Sequence, residues 1–180
     1  MKKTLGWGLI GTGKIADDRI LPGINAFKGN KLVAVVSREQ SRADMFAKKF
    51  GAQHAYTNYA DMLANPDVQV VAIHTPNSLH CEEVIAAAKA GKHVFCDKPM
   101  ATSVADAERM LAACEKAGVQ LGMNFHNRSM PCFIEAYGMA STRVIRCMAR
   151  SRSSGRQGAK PKPQRLITTL VTPCQHDCEA

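Results

Sequence analysis

Five short apolar runs, at 5–10, 32–36, 70–73, 93–96 and 119–123, alternate with stretches whose apolar residues recur at helical spacing. That alternation excludes most folds, because strands joined through helix-length connections come to lie side by side in parallel. The helical stretches are clearest at 45–50, 79–90 and 104–117. In the last, Ala107, Met110, Leu111 and Cys114 share a stripe, and Ser103 stands where an N-cap is needed. Gly91 and Gly118 stand where the helices before them should stop. Pro22-Gly23 predicts that the first helix ends early or kinks. The pattern therefore specifies an α/β fold, a doubly wound parallel sheet of Rossmann type.

The first apolar run leads directly into Gly8-Leu9-Ile10-Gly11-Thr12-Gly13-Lys14-Ile15-Ala16. Read as G-x-G-x-x-A, the three small residues are Gly11, Gly13 and Ala16. The first permits a tight turn, the second lets a pyrophosphate approach the backbone, and the third lets helix and strand pack closely. Phosphates then sit at the helix N-terminus, where free N–H groups and the helix dipole favour anions. Gly11, Thr12, Gly13, Lys14 and Ile15 are accordingly the candidate pyrophosphate-binding residues.

The second strand ends at Ser37-Arg38, roughly 25 residues beyond the glycines, where an NAD-binding chain places an acid for the ribose 2′-hydroxyl. Neither residue is acidic. A hydroxyl and a guanidinium suit a 2′-phosphate instead, because arginine forms planar, charge-assisted hydrogen bonds to phosphate. Ser37, Arg38 and Arg42 therefore point to NADP, with NAD as the alternative, although arginines at the start of a helix also serve simply as solvated positions.

Two further strand ends carry polar residues. Thr75-Pro76-Asn77 follows the run 70–73, at the carboxyl end of a strand, where open α/β sheets collect ligands. Asp97-Lys98-Pro99 follows His93-Val94-Phe95-Cys96 and places an ammonium at the same edge. A lysine beside a developing alkoxide stabilises charge that appears during a reaction, and burial would let it share in proton transfer. His74 lies at the strand itself and reads as a packing or hydrogen-bonding residue.

Together these pieces resemble the cofactor domain of the Gfo/Idh/MocA oxidoreductases, from Trp7 to Arg128. The matching segments come in the family's order: Gly8 to Ala16, Val35-Val36-Ser37-Arg38, Asn65-Pro66-Asp67-Val68, Thr75-Pro76-Asn77 with His80, Ala90-Gly91-Lys92-His93-Val94, and Asp97-Lys98-Pro99. Ser37-Arg38 and the stretch Gly122-Met123-Asn124-Phe125-His126-Asn127-Arg128 look most like the family's NADP-dependent sugar reductases. The resemblance implies reversible hydride transfer between a nicotinamide and a hydroxyl-bearing carbon of a sugar or polyol. It implies that Lys98 is catalytic, bonding the reacting oxygen and the nicotinamide ribose, with Asp97 where the family usually has Glu. It further implies contacts from Asn77 and His80 on the nicotinamide side, with Asn124 and Arg128 at the crevice floor. It also implies a homo-oligomer for full-length members of the family.

The resemblance predicts a cofactor domain over 1–124 and a linker helix and the first strand of a substrate domain over 125–148, while composition makes 149–180 a disordered basic tail. From 138 onward lie eight of the 24 Lys+Arg but only two of the 15 Asp+Glu, so +6 of the net +9 falls there. The segment 149–165 is rich in Arg, Ser, Gly, Lys and Pro, the composition of a disordered chain. A truncation or change of reading frame near 138–151 would account for this shift and for the family's missing aspartate/histidine pair, whose role is not carried over to His176 and Asp177. The alternative reading is a dinucleotide-binding module without turnover. Clustered charge without interleaved aromatics argues against specific nucleic-acid binding.

Seven scattered cysteines, Cys81, Cys96, Cys114, Cys132, Cys147, Cys174 and Cys178, form no regular framework and read as reduced thiols of a cytoplasmic protein. Cys174, His176 and Cys178 are too few and too isolated to imply a structural metal, and no metal is expected. No run approaches the ~20 apolar residues of a membrane span.

Overall fold

Val, Ile, Leu and Ala fill the strands, the composition of a sheet covered on both faces. In the computed structural model, which describes residues 4–125, the strands form a single six-stranded sheet in the order β3-β2-β1-β4-β5-β6. They are β1 (Leu5–Ile10), β2 (Asn30–Val36), β3 (His54–Tyr56), β4 (Val70–Ile73), β5 (His93–Asp97) and β6 (Leu121–Asn124). Every neighbouring pair is parallel. The connecting helices are α1 (Leu21–Ala26), α2 (Gln40–Phe50), α3 (Tyr59–Ala64), α4 (His80–Lys89) and α5 (Val104–Ala117). Strand order reverses between β1 and β4, so the turns leaving these strands diverge and open a crevice at the carboxyl edge.

Alternation along the strands splits the core into two layers. Ile10, Val71, Ile73 and Val94 join Met62, Val84 and Met110 from α3, α4 and α5. On the opposite side Leu9, Leu32, Val35 and Ala72 pack with Ala16, Leu21 and Phe46. The third small residue of the glycine turn is thus a core residue: Ala16 is completely buried.

Helix α5 shows how local chemistry fixes its bounds. Ser103 accepts the N–H of Asp106 at 3.1 Å and donates its hydroxyl to the Asp106 carboxylate at 2.8 Å, which caps the start. Gly118, at φ 67°, takes the left-handed conformation that ends the helix, and Val119 then donates to the Cys114 carbonyl. Val119 is therefore occupied in closing the helix, and β6 begins at Leu121 rather than at 119.

Other boundaries depart from the sequence reading for identifiable reasons. Helix α2 begins at Gln40, five residues before the predicted 45, because its first turn is polar and only Ala43, Phe46 and Ala47 reach the core. The stretch 77–79 forms a 3₁₀ turn ahead of α4. β3 and α3, which the sequence reading did not include, are too short for periodicity to show. Pro22-Gly23 does not end the first helix, which continues to Ala26. The chain accommodates the proline with a π-helical turn, Ala16–Ile20, in which Leu21 N–H reaches back to the Ala16 carbonyl. The readings placed on 126–180, including Arg128 and the basic tail, lie outside the described residues.

Candidate functional site at the carboxyl edge of the sheet

Gly11 and Gly13 are both required by the turn after β1, for different reasons. Gly11 has φ 98°, and a Cβ there would lie 2.5 Å from the main-chain oxygen of His74. The turn is thereby pressed against the start of the β4 turn. At Gly13 an added Cβ would meet nothing within 4 Å, so no packing within the protein demands glycine there. An open backbone at the start of a helix, whose first N–H groups lack intrahelical acceptors, is a fit for a pyrophosphate. Lys14 and Ile15 follow on the exposed side, and Lys14 pairs with Asp18 at 2.6 Å, a contact that raises its pKa.

The end of β2 is bound to this turn. The hydroxyls of Thr12 and Ser37, both buried, lie 2.9 Å apart. Arg42 donates to the Thr12 carbonyl through Nε at 3.1 Å and Nη2 at 2.6 Å, and to Thr12 Oγ1 at 2.9 Å. Its guanidinium also stands 5.6 Å from the Phe46 ring centre. Arg42 is therefore no loose surface cation but a brace across the glycine turn. Arg38 is exposed, with no hydrogen bond or ion pair among the described residues.

Beyond β4, Thr75 is half-buried and Pro76 and Asn77 are exposed. Thr75 donates its hydroxyl to Glu83, a buried acid on α4 whose pKa burial pushes upward. His80 corrects an expectation. It is completely buried, with Nδ1 2.9 Å from the Pro99 carbonyl and Nε2 3.0 Å from the Thr75 carbonyl. No ring nitrogen is left to meet a nicotinamide.

At the end of β5 a buried cluster stands under Lys98. Asp97 accepts from the Lys98 main-chain N–H at 2.8 Å and from the Asn124 amide at 3.3 Å, and its other oxygen lies 3.3 Å from His74 Nδ1. Burial holds the His74 pKa below its ordinary value, outweighing the Asp97 carboxylate, which acts the other way. His74 Nε2 is buried with no hydrogen-bond partner among the described residues. Lys98 itself is exposed, and the bond between it and Pro99 is cis. Cys96, pushed up to about 12 by burial and by Asp97 and Glu83, stays a thiol and is no nucleophile.

The sequence reading placed Asp97, Lys98 and Asn124 at one edge and left Glu83 out. The signal for Glu83 was present, because it falls on the same buried stripe of α4 as His80, Val84 and Ala87. Among the described residues no group of three His, Cys, Asp or Glu is placed to hold a metal, and no helix is long and apolar enough to cross a membrane.

A parallel sheet in this order, with a glycine turn opening the first crossover at the point of reversal, defines a dinucleotide-binding Rossmann domain. The chain belongs to the GFO_IDH_MocA oxidoreductase family with its NAD-binding Rossmann fold, whose model matches residues 5–125. It is 39% identical over 123 residues to a 1,5-anhydro-D-fructose reductase of Ensifer adhaerens, covering 68% of this chain and 37% of the relative. It is 36% identical over 129 residues to scyllo-inositol 2-dehydrogenase (NADP(+)) of Bacillus subtilis, covering 72% and 39%. A 3-ketoreductase from Actinomadura kijaniata, solved with TDP-benzene and NADP, superposes with a TM-score of 0.75 at 32% identity, covering 79% of this chain and 45% of that one. The chain thus spans about two fifths of the length of these curated relatives.

Proposed function

We propose that this chain is the cofactor-binding half of an NADP-dependent oxidoreductase that interconverts CH–OH and C=O on a sugar or polyol. The observation that carries the reading is the junction of the glycine turn with the end of β2. There Ser37 is bonded to Thr12, Arg42 braces the turn, and Arg38 follows with its guanidinium unpaired among the described residues. Neither Ser37 nor Arg38 is the acid that would take a ribose 2′-hydroxyl, and two guanidiniums match a 2′-phosphate. The relatives named for NADP(+), one acting on scyllo-inositol and another on D-xylose, support the same substrate class and cofactor.

Roles follow by position. Gly11, Thr12, Gly13, Lys14 and Ile15 hold the pyrophosphate; Ser37, Arg38 and Arg42 hold the 2′-phosphate. Thr75, Pro76 and Asn77 flank the nicotinamide, and Asp97 and Asn124 form the crevice floor. The cofactor, when bound, supplies or accepts the hydride. Lys98 directs its ammonium to the substrate oxygen, stabilising charge as the C–H bond breaks or forms. Asp97 keeps the Lys98 main chain in place through the 2.8 Å bond to its N–H. Cys81, Cys96 and Cys114 are free and buried thiols, in keeping with a reducing, cytoplasmic setting.

Calorimetric titration of the chain with NADPH and then NADH tests this reading. Saturable binding that favours NADPH is expected, and Arg38→Ala should weaken NADPH by about tenfold, the worth of one charge-assisted hydrogen bond, while sparing NADH. Equal losses for both cofactors would remove Arg38 from the 2′-phosphate site.

A further inference from the structure

Arg42 holds one end of a peptide whose other end is free. Its Nε and Nη2 donate to the Thr12 carbonyl at 3.1 and 2.6 Å, and Nε donates also to the Thr12 hydroxyl at 2.9 Å. The N–H of the same peptide belongs to Gly13 and has no acceptor among the described residues. That peptide is trans, since the cis bond among the described residues is Lys98-Pro99, so its C=O and N–H point in opposite directions. Holding the carbonyl therefore aims the Gly13 N–H away from the guanidinium, at a residue where an added Cβ would meet nothing within 4 Å. A charged donor on the carbonyl also polarises the peptide and strengthens its N–H as a donor.

The rest of the guanidinium is uncommitted. Nη1 carries two protons and makes no hydrogen bond among the described residues, and no carboxylate there pairs with the charge. The ring of Phe46, buried one turn along α2, lies 5.6 Å from the guanidinium carbon and favours this placement of the group. We propose that Arg42 is a positioning residue that couples the two phosphate sites of the cofactor. One edge of its guanidinium fixes the Thr12–Gly13 peptide for the pyrophosphate, while Nη1 is left for the 2′-phosphate. The proposal rests on the NADP reading above and deepens it, because an anion on Nη1 orders the guanidinium and, through it, the peptide. Arg42 thereby contributes to binding even of a cofactor without a 2′-phosphate. A lysine offers a point charge in place of the planar fork and does not serve both positions at once.

Titrations of the whole chain decide this, by calorimetry for NADPH and by NMR for the weaker ligands NADH and adenosine. Arg42→Gln should weaken NADH by about tenfold, although NADH carries no 2′-phosphate, and should weaken NADPH by a larger factor. Adenosine, which carries neither phosphate group, should bind as before. Unchanged NADH binding would confine Arg42 to the 2′-phosphate and overturn the proposal. Equal losses for NADH and NADPH would confine it to the turn and overturn the coupling. A loss for adenosine as large as that for NADH would mean general damage to the fold and would count against a positioning role. Arg42→Lys keeps the charge without the fork, so it should show the NADH loss while retaining more of the preference for NADPH than Arg42→Gln does. Full recovery of NADH binding by the lysine would make charge alone sufficient and would also sink the proposal. Failure of the unaltered chain to bind NADPH is a separate outcome, which would remove the cofactor reading itself and the role of Arg42 with it.

Discussion

Gly11 and Gly13 look alike in the sequence and differ in what they permit. A side chain at Gly11 would combine φ 98° with a 2.5 Å approach to a main-chain oxygen that has nowhere to go. Gly11→Ala should therefore destabilise the chain by about 2 kcal/mol or more, measured as a shift of the urea midpoint. Gly13→Ala meets open space, so its stability should stay within about 0.5 kcal/mol or rise slightly, while NADPH binding is lost because the methyl occupies the pyrophosphate's approach. Unimpaired NADPH binding by Gly13→Ala would remove this glycine from the site. The fingerprint was legible, but which glycine serves the fold and which the ligand was not. That distinction depends on His74, more than 60 residues away in the chain. The same is true of His80: its place near the crevice was legible, while its burial between two carbonyls follows from where Pro99 returns.

Among the elements, α5 was the most legible, with observed bounds that match the predicted 104–117 because cap, stripe and terminating glycine all agree. Ser103→Ala should cost about 1 kcal/mol by leaving the Asp106 N–H without its acceptor. Met110 is completely buried where α5 meets the sheet, and Met110→Ala should cost about 2–5 kcal/mol through the cavity it leaves. Denaturant unfolding of the two variants checks both, and a Met110→Ala cost no larger than that of Ser103→Ala would contradict the packing described. β3 and α3 illustrate the opposite case. Three and six residues give no period to read, and both exist because sheet pairing and the core hold them.

The whole molecule responds to acid through groups that burial has shifted. His74 titrates below 6.5 in the folded chain because desolvation outweighs the attraction of Asp97. The unfolded chain therefore binds more protons in the interval below 6.5, and stability is retained above that value and lost as pH falls through the interval. Glu83 acts in the opposite sense. Its folded pKa is raised above 4.5, so it subtracts stability as pH rises from there. Melting temperatures followed from about pH 7 down to about pH 5 should fall, and His74→Gln should flatten that slope. An unchanged slope would assign the acid sensitivity to other groups.

Periodicity, the glycine turn and the strand-end residues by themselves determined the class of sheet, its helices and the edge where chemistry gathers. These are local properties: strand and helix periods, the freedom of glycine and the ends of apolar runs are all written within a few residues. Tertiary structure alone decided that Arg42 braces Thr12, that Asp97 joins His74 and Asn124, and that both nitrogens of His80 are bound. Each of those outcomes needs two or three strand ends brought within hydrogen-bonding distance, and the parallel pairing of β2, β1, β4, β5 and β6 does that.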